Sequence, residues 1–173
     1  WGLLAPRTAT RAGRRPRWGE RSRGISSKRG RGGRGWTRAV AAGKRGAATP
    51  FLPRLGVDAF ADMAKRTWQD AGVRSAVIDT PDSYTGAAYI FVEETSGNNA
   101  IIVSPGAAML ISPADIEAHA GLISSAGVFV TQLEQPIEAA LRSLEIARGA
   151  GGPRSVNPAP AATPPPICRW SRS

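Results

Sequence analysis

The chain holds one cysteine, Cys168, and one histidine, His119, in 173 residues. A single thiol excludes an internal disulfide framework and a cysteine-based metal site. It fits a reducing compartment, so a cytoplasmic location is expected. Long apolar runs are also lacking: none approaches the roughly 20 residues a membrane helix needs. The opening "WGLLAP" is too short for a signal-peptide core and carries no charge before it, so neither leader nor membrane partner is expected. Acidic residues are nearly missing from residues 1–48, where 14 Lys and Arg face Glu20 alone. Residues 49–162 reverse the balance, with 12 acids against 7 bases. The formal charge of +10 is therefore a property of the first segment, and the body is mildly acidic. An acidic body disfavours a globular nucleic-acid-binding face, because phosphate attraction needs basic residues on the folded surface.

What is present divides into segments. Residues 1–30 are Arg, Gly, Ser and Pro with little apolar periodicity, a composition that predicts a disordered basic segment. The functional alternatives for this segment are a basic RNA-binding arm and an acid-poor transit peptide. From Thr37 the pattern predicts a short helix with Thr37 as its N-cap, then a strand broken by Pro53. The next helix is capped by Asp58 and ends at Gly72, and its apolar face carries Met63 and Trp68 as core residues. A short strand, "VRSAVID", follows. Residues 84–104 are rich in β-formers around the turn residues "ETSGNN", which predicts a hairpin. "SPADIEAHAGLISSAG" opens a helix with Ser112 as N-cap and Pro113 at its first position. "VFVTQLE" is a near-continuous apolar run, as a buried parallel strand would be. "PIEAALRSLEIARGAG" is a periodic helix, and "PRSVNPAPA" reads as a last strand and a proline-rich loop. Alternating helices and strands predict an α/β fold, a three-layer sandwich with a mostly parallel sheet, to which the hairpin is an addition.

In open α/β sheets ligands bind outside the carboxyl ends of the strands. Two stretches fall there. Gly32, Gly33 and Gly35 precede a helix N-terminus, where the backbone approaches a ligand closely and free N–H groups face it. Glu134 follows the strand "VFVTQL" and is placed either to accept hydrogen bonds from hydroxyls, as in sugar recognition, or to serve as a surface acid ahead of Pro136. His119 has no partner residue in its motif and is assigned no role.

These residues resemble a known family. "GGRGWTRAVAAGKRGAATPFLPRLGVDAFADM" is similar to the sugar-binding segment of ribokinases, within the PfkB-type carbohydrate kinases. "TGAAYIFVEETSGNNAIIVSPGA" resembles their lid hairpin, and "VTQLEQP" and "NPAPA" are similar to the stretches that follow. The resemblance covers residues 31–162, in matching order and spacing. It implies a ribokinase-like core with a β lid over a cleft, and transfer of the γ-phosphoryl of ATP, with Mg²⁺, to the terminal hydroxyl of ribose. A monovalent cation and homodimers formed through the lids are compatible with it. Carried over by position, Gly33, Arg34 and Gly35 line the sugar site, Thr37 stands where the family has Asn, and Glu134 hydrogen-bonds the sugar. Another sugar or nucleoside kinase of the same family, and a non-enzymatic nucleic-acid-binding protein acting through residues 1–48, are the alternatives.

The departures are specific. Arg34 replaces the family's Lys, which keeps the charge and changes the geometry. Trp36-Thr37-Arg38 replaces Ala-Asn-Gln, and Trp36 is expected to add bulk beside the sugar. The Asn-x-x-Glu and Gly-Ala-Gly-Asp motifs, which supply the Mg²⁺/phosphate contacts and the catalytic base, have no counterpart, so no catalytic residue is assigned in this chain. Phosphoryl transfer depends on positioning and charge stabilisation, and the isolated chain is expected to be inactive. Residues 163–173, "TPPPICRWSRS", read as a tail unlike the family.

Overall fold

The computed structural model describes residues 7–159. Its first feature is order where composition offers little to bury. β1 (Arg7–Ala12) and β2 (Ser26–Gly30) pair antiparallel, from Arg7 opposite Gly30 to Arg11 opposite Ser26. The expectation of disorder over residues 1–30 is thus corrected for 7–12 and 26–30. The reason is that ladder hydrogen bonds come from the backbone, and β1 finds a partner strand on each side. The tail at 163–173 lies outside the described residues.

α1 (Arg34–Lys44) begins after Gly33, whose φ of 107° only glycine adopts freely. The helix therefore starts three residues before the expected Thr37 cap. Thr37 lies inside it, donating from its hydroxyl to the Gly33 carbonyl at 2.9 Å. β3 (Thr49–Phe51) and β4 (Arg54–Leu55) are separated at Leu52 and Pro53, as the proline implies. α2 (Ala59–Asp70) is capped by Asp58, which accepts from the Ala61 N–H at 2.8 Å. β5 (Val73–Ser75) and β6 (Ile78–Asp79) pair parallel with β3 and β4, and the Phe51, Pro53 and Leu55 carbonyls accept from Ala76, Ile78 and Thr80.

β7 (Thr85–Glu93) and β8 (Asn99–Gly106) form the expected hairpin. β1 joins it parallel to β7, giving a four-stranded lid sheet in the order β2-β1-β7-β8. A 3₁₀ turn, Ala107–Leu110, leads to α3 (Pro113–Ala118), where Ser112 and Asp115 make a reciprocal capping box. The expected single helix breaks at His119, and α4 (Ala120–Ser124) follows. β9 (Phe129–Gln132), α5 (Ile137–Gly149) and β10 (Arg154–Asn157) complete the described chain, with β10 parallel to β9. Glu138 in the first turn of α5 and Arg148 in its last complement the helix dipole.

Side-chain alternation along residues 51–55 sets three layers. Phe51 and Leu55 point to one face, into a core with Trp36, Trp68 and Val73 from α1, α2 and β5. Leu52 points to the other, into a core with Ile116, Ile123, Phe129 and Leu144 from α3, α4, β9 and α5. Trp68 is fully buried and meets Trp36 and Phe51 edge-on, at centroid distances of 5.3 and 5.1 Å. Such edge-to-face packing adds to burial.

The lid is fastened to the body at one carboxylate. Asp58 accepts from the Thr85 N–H at 2.7 Å, and the Gly56 N–H donates to the Thr85 hydroxyl at 3.1 Å. Gly56 must be glycine here, since a Cβ would stand 2.4 Å from the Ser83 carbonyl oxygen. Burial pushes the Asp58 carboxyl up, but the N–H groups of Thr85 and Ala61 and the Thr85 hydroxyl outweigh it and hold the carboxyl below its ordinary value.

Candidate sugar-binding site

The N-terminus of α1 and the carboxyl end of β9 meet. Gly33 turns the chain into α1, and this aims Arg34 across to the residue just beyond β9. Arg34 Nη1 lies 2.9 Å from Glu134 Oε1, with the two side chains 40% and 23% exposed. The contact is an ion pair only. Its angle is poor, and Arg34 Nη1 is a buried donor with no hydrogen-bond partner among the described residues. Glu134 Oε2 is held from behind, accepting from Gln132 Nε2 at 2.9 Å. Gln132 is fully buried, and its Oε1 accepts from Arg38 Nη1 at 3.3 Å. The amide orientation is forced, because a guanidinium only donates and a carboxylate only accepts.

A chain of four polar side chains results: Arg38, Gln132, Glu134, Arg34. Its chemistry suits a polyol. A carboxylate accepts from hydroxyls, a guanidinium N–H without an acceptor donates to one, and helix N–H groups lie beside both.

The sequence-derived residues fall as follows. Gly33 and Gly35 are buried at the start of α1, and Arg34 and Glu134 are together. Thr37 is exposed one turn on, its hydroxyl committed to the Gly33 carbonyl. Trp36 does not crowd the site: it is 3% exposed and packs into the core against Trp68, on the side of α1 away from Arg34. Arg38 and Gln132 join the site without a motif of their own. The available signals were the i, i+4 spacing of Arg34 and Arg38, which puts both on one helix face, and the i, i+2 spacing of Gln132 and Glu134. His119 donates from Nδ1 to the Asp115 carbonyl, 2.8 Å away, one turn back in α3.

Among the described residues no group of three or more His, Cys, Asp or Glu side chains could hold a metal. Among the described residues no helix is long and apolar enough to cross a membrane.

Comparison with known proteins agrees with this architecture. The family model for pfkB family carbohydrate kinases matches residues 8–170. The chain is 40% identical over 131 residues to the bifunctional ribokinase/ribose-5-phosphate isomerase A of Fructilactobacillus sanfranciscensis, covering 75% of this chain and 24% of that protein. It is 37% identical over 131 residues to the ribokinase of Staphylococcus aureus, covering 75% of this chain and 43% of that one. The structure of the Arabidopsis thaliana ribokinase complexed with ribose and ATP superposes with a TM-score of 0.83 at 25% identity, over 95% of this chain and 54% of that one. The chain thus spans from a quarter to about half of the length of these proteins. By sequence and by fold, this chain belongs to the pfkB family of carbohydrate kinases.

Proposed function

We propose that the chain is the sugar-binding part of a ribokinase-like kinase, which phosphorylates D-ribose at its terminal hydroxyl with ATP and Mg²⁺ in the cytoplasm. Gly33, Arg34, Gly35 and Glu134 face the sugar, and Thr37 steadies the turn by donating to the Gly33 carbonyl. The observation that carries this reading is the Arg34–Glu134 pair, one charged donor and one charged acceptor set side by side at the carboxyl edge of the sheet. Glu134 accepts from sugar hydroxyls, Arg34 Nη1 donates to one, and the Gly33–Gly35 backbone lets the ring approach.

ATP and Mg²⁺ belong to the complete protein, and the described residues of this chain supply no group for phosphoryl transfer. Homodimers through the lid are supported by the apolar side chains it exposes, Tyr89, Ile101, Ile102 and Val103.

The test joins this chain to the C-terminal half of a ribokinase and measures ribose phosphorylation. The joined protein is expected to turn over, with Glu134→Ala raising KM for ribose about tenfold or more, the scale of losing a hydrogen bond to a charged group. The chain alone is expected to give no turnover. A folded joined protein whose KM is the same with and without Glu134 would overturn the sugar assignment. Preference for a nucleoside over ribose would move it to another member of the family.

A further inference from the structure

The basic excess of the chain sits on a folded element. Residues 7–30 carry nine Lys and Arg against one acid, Glu20. They form the β1–β2 hairpin at the outer edge of the lid sheet, where β2 has no second neighbour among the described residues.

The connection between the two strands, residues 13–25, is held by its own polar contacts. Arg14 grips Glu20 with both terminal nitrogens, Nη1 on Oε2 at 2.8 Å and Nη2 on Oε1. The Arg17 N–H donates to the same Oε2 at 2.8 Å, and the Glu20 N–H donates to the Arg17 carbonyl at 3.1 Å. That last bond closes a four-residue turn whose third position is Gly19, at a φ of 76°, as a type II turn requires. Trp18 occupies the second position and is wholly exposed. On the return the Ile25 N–H donates to the Arg11 carbonyl at 2.7 Å, which leads the loop into the ladder.

Local acids do not neutralise the charge. Glu20 is taken by Arg14. At the neighbouring β7–β8 turn, Glu94 pairs with Arg11 at 3.2 Å and Glu93 accepts from the Ser96 hydroxyl. Arg15, Arg17, Arg21, Arg23, Lys28 and Arg29 are exposed and make no ion pair among the described residues. Like charges held on one folded element repel, and a polyanion relieves the repulsion.

The chemistry of the patch selects among polyanions. Eight of the nine bases are arginine, whose planar fork fits phosphate oxygens two at a time. The free edge of β2 adds backbone N–H groups, which also bind phosphate. An exposed indole among arginines offers a stacking face to an unpaired base. Residues 7–30 hold only two large apolar side chains, Trp18 and Ile25, too little apolar surface for a stable hold on a lipid surface.

We propose that the β1–β2 hairpin is a binding surface for single-stranded nucleic acid, with the basic side chains on its phosphates and Trp18 stacked on a base. The inference uses none of the residues of the sugar site and stands apart from that assignment.

The experiment follows the fluorescence anisotropy of a labelled oligouridylate of about 16 nucleotides mixed with the full chain. Binding is expected, with an affinity that falls about fiftyfold between about 50 and about 200 mM salt, the slope of four phosphates contacted on a single strand. Trp18→Ala is expected to weaken binding about tenfold at unchanged salt slope, since the indole stacks and carries no charge. Lys28→Gln/Arg29→Gln is expected to lower the slope by about 1.4, one phosphate for each charge. All three side chains are exposed, so circular dichroism of both variants is expected to match the unaltered chain. No binding at the lower salt would overturn the proposal. So would a Trp18→Ala chain of equal affinity, or a double glutamine chain of equal slope. Capture on phosphatidylserine vesicles that excess oligouridylate does not displace would overturn it too, by giving the hairpin to a membrane.

Discussion

Arg34 Nη1 and Glu134 Oε1 stand 2.9 Å apart across the gap between α1 and β9, though 100 residues separate them in the chain. Both side chains are partly exposed, and the contact lacks hydrogen-bond geometry. Exposed pairs of this kind contribute about 0–1 kcal/mol to stability. Its placement suits recognition of a ligand better than support of the fold.

Stability measurements separate the two uses of charge at this site. Arg34→Met removes only the ion pair and is expected to change unfolding free energy by less than about 1 kcal/mol. Gln132→Leu is different, because Gln132 is fully buried between Arg38 and Glu134. It leaves both partners short of a hydrogen bond and is expected to cost about 1–3 kcal/mol. Urea denaturation of both variants checks the contrast, and equal losses would contradict it.

Trp36 is a core residue, buried edge-on against Trp68. Trp36→Ala empties a buried space against Trp68 and is expected to cost about 3–5 kcal/mol. Ribose affinity of whatever remains folded is expected to be unchanged. A stable Trp36→Ala variant with tighter sugar binding would show that the indole crowds the site after all.

Acid stability is expected to depend on Asp58. Its folded carboxyl titrates below the ordinary value, so it contributes stability at pH above about 3.9. That contribution is lost as pH falls below this value and through the lower folded one. Glu20 titrates at about 2, held down by the Arg14 side chain and the Arg17 N–H, and acts in the same direction in the loop between β1 and β2. Asp58→Asn keeps a capping oxygen without the titration and is expected to flatten the acid limb of the stability curve. Asp58→Ala also loses the cap, at about 1 kcal/mol. An unchanged acid limb in Asp58→Asn would remove Asp58 from the linkage.

Lid association has its own test. Ile102 is 68% exposed and pairs across the hairpin with Tyr89, which is also exposed. Ile102→Asp is expected to shift any dimer seen by sedimentation toward monomer, while leaving the fold unchanged. A dimer that tolerates the aspartate would place the interface elsewhere.

The sequence made much of this fold legible where local physics decides. The Asp58 and Ser112 caps, the break at Pro53, the hairpin at 85–106 and the periodic α5 all follow from short-range rules. The strands β1 and β2 were not legible, because their support is the backbone ladder of β2 to β1 and of β1 to β7, which composition does not encode. The direction of Trp36 was hidden by a one-turn error: taking Thr37 as the cap, instead of Gly33 with its positive φ, misplaces the helix face. The place of Glu134 just beyond β9 was legible from the end of an apolar run. Gln132 was not, since a glutamine inside an apolar run reads as part of the strand until Arg38 and Glu134 are seen to flank it.

The most direct measurement is calorimetric titration of the chain with D-ribose, beside Glu134→Ala under the same conditions. Saturable binding by the unaltered chain is expected, weakened about tenfold or more by loss of the carboxylate. Equal affinity in the two folded proteins, or no binding to either, would contradict it.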